Sequence, residues 1–287
     1  MANLKELRNR IASVGSTKQI TSAMKMVSAA KLKRAQDAIV RMRPYAEKLE
    51  EILMNLSASL DSSEGVYARK VEVEEKVLLV SIASNRGLAG AFNANIVKAT
   101  SLEINSNPNV KFDVIAIGKK PNEVLRIKGF NVIGEHNKIY DDLSFDNVAE
   151  VAISLMEHFK NGTYDRISLV YNQFKNAAVQ NVMVEQFLPV REVEGAGNSN
   201  SADYIYEPAK EEILEDLIPK SLKTQLFKAL LDSNASEHGA RMTAMHKATD
   251  NATELQKGLK LEYNKARQAA ITNEILEIVG GAEALAG

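Results

Sequence analysis

KQITSAMKMVSAAKLKRAQDA, residues 18–38, contains no glycine, no proline and no aromatic residue. Ala, Met, Lys, Leu, Arg and Gln dominate it, and these are good helix formers. Its charges are nearly all positive. Upstream, Leu4, Leu7, Ile11 and Val14 step by 3, 4 and 3, a coiled-coil seam. Carried on strictly, that register reaches Lys18, Thr21, Lys25 and Ser28. The apolar residues lie instead at Ile20, Met24 and Val27, about 180° round the helix at 100° per residue. Leu32, Ala35, Ile39 and Met42 then read as a stripe rotated once more. One partner cannot contact all these faces. The expectation is a long helix with one intramolecular partner and further surfaces for other chains; the plainer alternative is packing in an irregular bundle.

The surrounding segment, residues 1–60, has Gly15 and Pro44 as its only breakers. Residues 1–43 hold ten Lys/Arg against Glu6 and Asp37, a local charge of +8, in a chain of 287 residues with net charge −1. Such an arm suits an acidic partner: nucleic acid, anionic lipid or acidic protein.

The far end of the chain also reads as helix. Pro208 and Pro219 punctuate its approach, and from Ser221 the pattern is long and Ala-rich. Ala240, Ala244, Ala248 and Ala252 recur every four residues, a ridge that lets a second helix approach closely. Between these ends, KVLLVSIAS (76–84), FDVIAIG (112–118) and RISLVYNQF (166–174) read as strands. Helix-like stretches lie at about 90–105, 119–128 and 145–160. That alternation predicts a right-handed α/β domain with a largely parallel sheet. VQNVMVEQFLPV (179–190) adds an alternating strand, expected antiparallel, and EGAGNSNSAD (194–203) reads as a polar loop. The predicted organisation is therefore a helix at 1–60, an α/β domain at 70–208 and a helix at 209–287. The two end helices pair as a long antiparallel coiled coil, with the domain inserted between them.

Little catalytic chemistry is legible. Cysteine is absent, which excludes disulfides, thiolate catalysis and Cys-based zinc sites. The four histidines are scattered and form no metal pair. No apolar run reaches the 18 residues of a membrane span, and the N-terminus has no signal-peptide h-region; the reading is an intracellular protein. SNRGLAGAFN (84–93) joins a strand to a helix, the place where a glycine-containing loop can cradle a phosphate. It is G-x-x-G, however, not a dinucleotide or P-loop fingerprint, and no Lys follows. A tight turn requiring Gly87 and Gly90 is the favoured reading. Arg241, Gln268, Thr272 and Glu274 are polar residues of the last helix, either a solvated face or a contact with another chain.

The segments LRNRIASVGSTKQITSAMKMVSAAKLKRAQ (7–36), SNRGLAGAFN (84–93), ARMTAMHKATDNA (240–252) and YNKARQAAITNEILEIVGGAEAL (263–285) resemble the gamma subunit of bacterial F-type ATP synthase. The likeness covers essentially the whole chain. It departs from the family at Asn85 and Ala89, where Asp and Cys are usual. The resemblance implies a Rossmann-like inserted domain and a non-catalytic rotor without a cofactor. Its implied partners are a hexamer of alternating alpha and beta subunits, an epsilon subunit and a membrane ring of c subunits, with one copy per complex. It implies a peripheral location on the cytoplasmic face of the bacterial inner membrane. By matching position, Met24, Lys25, Arg241, Gln268, Thr272 and Glu274 are implied at the rotor–hexamer contact, with Arg86, Gly87 and Gly90 in the strand-to-helix turn. Two other classes remain: a nucleotide-binding α/β enzyme using the 84–93 loop, and a basic coiled-coil binder of nucleic acid, whose affinity would fall steeply with salt.

Overall fold

A computed structural model of the chain describes residues 4–57, 66–67, 69, 71, 73–190 and 210–286; the polar stretch at 194–203 lies outside them. Two long helices, α1 (Leu4–Ser57) and α5 (Lys210–Ala286), flank strands β1 (Lys76–Ile82), β2 (Lys111–Ile117), β3 (Val132–Glu135), β4 (Arg166–Phe174) and β5 (Gln180–Leu188). Helices α2 (Phe92–Ser106), α3 (Lys119–Ile127) and α4 (Phe145–Lys160) lie between the strands, and a short 3-10 helix spans Asn137–Tyr140. The chain divides into two compact units, residues 29–241 and residues 1–28 with 242–287.

The first unit is built on a sheet ordered β3-β2-β1-β4-β5. The first four strands are parallel and β5 runs antiparallel to β4. Strand residues alternate between two cores, as the period of two requires. Leu78, Val80 and Ile82 face α4, through Val148, Ala152, Leu155 and Phe159, and α5, through Leu222, Leu226 and Leu230. Val77 and Leu79 face Phe92, Ile96 and Val97 of α2 and Leu125 of α3. Helices cover both faces, so the inner strands read as continuous apolar runs. The predicted strands are present; β3 escapes a sequence reading because it is four residues long.

Pro219 lies inside α5, which begins at Lys210, so it does not mark the boundary expected of it. Pro44 likewise lies inside α1. A proline removes one backbone hydrogen bond; beyond Pro219 that loss is offset by packing of Leu222, Leu226 and Leu230.

The second unit is an antiparallel helix pair. Gly15 lies against Gln256, Thr21 against Thr249 and Lys25 against His246, so positions rise along one helix as they fall along the other. The seam corrects the sequence expectation. Leu7, Thr21 and Ser28 are buried, and Leu4, Ile11, Val14, Lys18 and Lys25 are half-buried. These are the strict steps of 3 and 4 that the apolar pattern had appeared to abandon. The step from Ser28 to Leu32 is four, so Leu32, Ala35 and Ile39, all buried, continue the same stripe and are not rotated from it. Thr21 is 8% exposed and Ser28 3%, while Ile20 is 60% and Val27 57% exposed. The polar residues are inside and the apolar ones outside. On α5 the seam is Met245, Ala252 and Leu259, spaced by seven, instead of the alanine ridge spaced by four. Ala244 and Ala248 are only half-buried. A supercoiled pair keeps its contact line at 3.5 residues per turn, and a ridge of period four drifts off that line.

Candidate functional site

Two groups of residues were singled out by sequence, and the structure places one in each unit, with Arg241 joining the first. In the sheet unit, the loop 84–91 leaves the end of β1, between β2 and β4. This is the point where strand order reverses, at which open α/β sheets bind ligands. Here the loop turns its carbonyls inward. The Arg86 carbonyl accepts from Ser84 Oγ at 2.5 Å, Asn93 Nδ2 at 3.2 Å and Arg241 Nη2 at 3.3 Å. Arg241 Nη2 also donates to the Gly87 carbonyl at 3.3 Å, and its Nη1 to Glu237 Oε1 at 2.5 Å. Asn85 ties the loop to its neighbours: its Nδ2 donates to the Asn137 carbonyl at 2.9 Å, and its Oδ1 accepts from the Lys119 amide at 3.0 Å.

Helix α5 closes over the same end of the sheet. Ser236 Oγ donates to the Asn172 carbonyl at 3.0 Å. A Cβ on Gly239 would lie 3.2 Å from Ala177 Cα, so α5 passes close against the β4–β5 connection. A phosphate cradle needs free amides pointing outward; what this loop offers inward is carbonyls, already bonded. Gly90 has φ 59°, and so does need glycine's freedom, but the other left-handed residue is Leu88, at φ 60°. Gly87 has neither a positive φ nor a neighbour within 4 Å of a Cβ. The glycine that is sterically required is Gly118, after β2: at φ 108° its Cβ would lie 2.3 Å from the Ala83 carbonyl oxygen.

Burial shifts three groups near α5. His238 is lowered to about 4 by desolvation, reinforced by Arg241 and Lys31. Asp232 is raised to about 6 by desolvation, against the pull of Lys228, the Phe174 amide and Arg43. Tyr140 is raised by desolvation and by the Glu237 charge.

In the helix pair, Met24 and Lys25 are half-buried. Lys25 Nζ is 3.3 Å from His246 Nδ1, which is 3.5 Å from Asp250 Oδ2. Gln268, Thr272 and Glu274 are exposed. Extending the observed pairing, Leu4 at the start of α1 falls opposite Arg267, and these three residues follow Arg267 on α5. Ile271, Ile275, Leu276, Ile278 and Val279 on the same stretch are exposed. The groups named from sequence thus do not form one cluster. Glu237 was missed, although its spacing of four before Arg241 is the signal of a helical ion pair. Among the described residues there is no group of acids and histidines suited to a metal, and no helix long and apolar enough to cross a membrane.

A family model described as ATP synthase matches residues 3–285. The chain is 65% identical over 288 residues to the ATP synthase gamma chain of Flavobacterium johnsoniae, covering 100% of both. It is 63% identical over 287 residues to that of Flavobacterium psychrophilum, again covering 100% of both. Among solved structures, a chain of the Euglena gracilis mitochondrial ATP synthase OSCP/F1/c-ring assembly in rotational state 3 aligns with TM-score 0.70 at 24% identity, covering 98% of this chain and 94% of that one. A chain of the Tetrahymena thermophila mitochondrial ATP synthase central stalk/c-ring aligns with TM-score 0.60 at 24% identity, covering 80% and 99%. At that identity the two structures share the fold.

Proposed function

We infer the role of this protein from the premise that the chain belongs to the ATP synthase family of gamma chains: it is the central shaft of the rotor. It is non-catalytic, and the catalytic sites of the complex lie on the beta subunits. It couples ion flow through the membrane c-ring to ATP synthesis or hydrolysis at those sites. The observation that carries this reading is the division of labour on α1. Its inner seam is satisfied by α5, while Ile20 and Val27 remain exposed on other faces. A shaft inside a ring needs one face for its own partner and the rest for the ring.

A shaft that met every beta subunit equally would bias none of them; coupling requires differential contact at each angle. Supporting this, α5 runs past the start of α1 as a single helix with exposed apolar residues, an end that suits an enclosing sleeve. The contact with the alpha and beta subunits is assigned to Met24 and Lys25 on α1 and Gln268, Thr272 and Glu274 on α5. Arg241 belongs with them through the loop it binds, since its own guanidinium is engaged within the chain. The helix-pair unit, residues 1–28 with 242–287, is assigned to the shaft, and the sheet unit, 29–241, to the domain facing the epsilon subunit and the c-ring. The complex is membrane-associated, and this chain is peripheral to the membrane, on the cytoplasmic face of the bacterial inner membrane.

Native mass spectrometry of a tagged copy expressed in its own host tests the reading. The expected particle contains one copy of this chain with three alpha-like and three beta-like subunits. A lone chain or a homodimer under every gentle extraction would overturn it. The nucleotide-enzyme reading is disfavoured by the bonded carbonyls of the 84–91 loop.

A further inference from the structure

Glu237 and Arg241 form a buried ion pair on α5, facing the 84–91 loop. Burying both charges carries a desolvation penalty that their attraction need not repay, so a pair of this kind is weak evidence for stability alone. The geometry gives it another task. Glu237 does not bond the loop; it fixes the guanidinium. Arg241 then uses its second terminal nitrogen to bind two successive carbonyls, those of Arg86 and Gly87. A lysine would keep the charge without the fork.

The residue that follows those carbonyls is Leu88, at φ 60° and 66% exposed. A non-glycine residue there is strained and persists only where its surroundings hold it. No core contact rewards this conformation, because the side chain points to solvent. What holds it is the bonding on either side: Arg241 on the carbonyls before it, and Gly90 and buried Ala89 after it. Arg241 is also the last residue of α5 within the sheet unit.

We propose that Glu237 and Arg241 are a positioning pair that clamps the 84–91 loop, and Leu88 with it, to α5, so that the angle of α5 about its own axis is locked to the sheet domain. The clamp stands on contacts within this chain. Its use, carrying torque between domain and shaft, rests on the rotor reading above.

The chain has no cysteine, so Leu88→Cys provides a single thiol for a nitroxide. Ile127→Cys, on the exposed end of α3, is the control. In the full chain, Arg241→Lys and Glu237→Gln are each expected to raise nitroxide mobility at position 88 on the order of threefold, because a loop released from its clamp samples more conformations. Far-UV circular dichroism and nitroxide mobility at position 127 stay unchanged. Position 88 unchanged in both variants, or position 127 loosened equally, would overturn the clamp. In the assembled complex, Glu237→Gln should lower ion-driven synthesis relative to ATP hydrolysis. A loosened loop with an unchanged ratio would overturn the torque role and leave the clamp standing. Failure of the unaltered chain to join any hexamer would overturn the rotor reading, with the labelling result unaffected.

Discussion

Thr21 Oγ1 and Thr249 Oγ1 lie 2.8 Å apart across the antiparallel helix pair, joining two residues 228 positions apart in sequence. Both occupy the contact line between the helices. A hydrogen-bonded polar layer at such a position fixes register at some cost in stability. It makes the pairing of α1 with α5 specific where an all-apolar seam would slide.

That layer gives the first prediction. Thr21→Val and Thr249→Val should each destabilise the chain by about 0.5–1 kcal/mol through loss of the bond between the two hydroxyls, since the remaining hydroxyl keeps a backbone carbonyl, Lys18 for Thr21 and Met245 for Thr249. The double variant should lose less than the sum of the two. Urea denaturation of the four forms completes the cycle; strict additivity would mean the two hydroxyls do not interact.

The outer face gives the second. Val27→Glu places a charge on an exposed position, so the unfolding midpoint of the free chain should move by no more than ~0.5 kcal/mol equivalent. Thr21→Glu puts a carboxylate into the seam and should destabilise by several times that, about 2 kcal/mol or more. In the assembled complex the order should reverse in kind: Val27→Glu folds and assembles, yet impairs ion-driven synthesis. Parallel thermal melts and synthesis assays separate the two effects.

Two glycines give the third. Gly118→Ala forces a Cβ to within 2.3 Å of the Ala83 carbonyl oxygen at φ 108°; strain and clash together should cost about 3 kcal/mol or more. Gly87→Ala meets nothing within 4 Å at an ordinary φ. It should be neutral or stabilising by about 0.5 kcal/mol through the unfolded chain. Equal losses in a denaturation titration would contradict the backbone geometry described for the turn.

The buried titrating groups give the fourth. Asp232 is raised from 3.8 to about 6 in the folded chain. Between those values the folded state binds more protons than the unfolded one, so this group makes stability fall as pH rises from about 4 to 6. His238 is lowered from 6.5 to about 4. There the unfolded state binds more protons, so this group makes stability fall as pH drops from 6.5 to 4. The two oppose each other across one window. Asp232→Asn keeps an acceptor for the Phe174 amide and removes the first contribution. The variant should therefore gain stability at pH 7 and lose it more steeply on acidification from 6.5 to 4 than the unaltered chain. A pH profile of the variant parallel to the original would show that Asp232 is not held protonated by burial.

Much of the architecture is legible in the residues themselves. KVLLVSI and RISLVYNQF announce buried strands by their β-branched runs, and the helices between them dictate a parallel sheet. The steps of 3 and 4 from Leu4 to Val14 announce a seam. Other features depend on contacts that no local pattern reports. VIGE at 132–135 is too short to signal a strand, yet β2 pairs with it. The turn reads as needing Gly87 and Gly90; Gly90 is left-handed, but its companion is Leu88 and not Gly87. Only a spacing of four from Arg241 marks Glu237 in the sequence, and its role follows from where the fold lays Arg241, against the loop carbonyls.

The sequence by itself determined the helix-forming ends, the strands other than β3, the seam from Leu4 to Val14 and the basic arm. Those follow from backbone propensity and from the periods of helix and strand, which are local properties. Which face of α1 is inside was decided only by the tertiary structure. Hydrophobicity marks Ile20, Met24 and Val27 as a second apolar face without saying which face meets α5; the structure leaves Ile20 and Val27 exposed and buries Thr21 and Ser28. Burial belongs to a pair of surfaces, and the surface that covers Thr21 is Thr249, brought there by a helix from the other end of the chain.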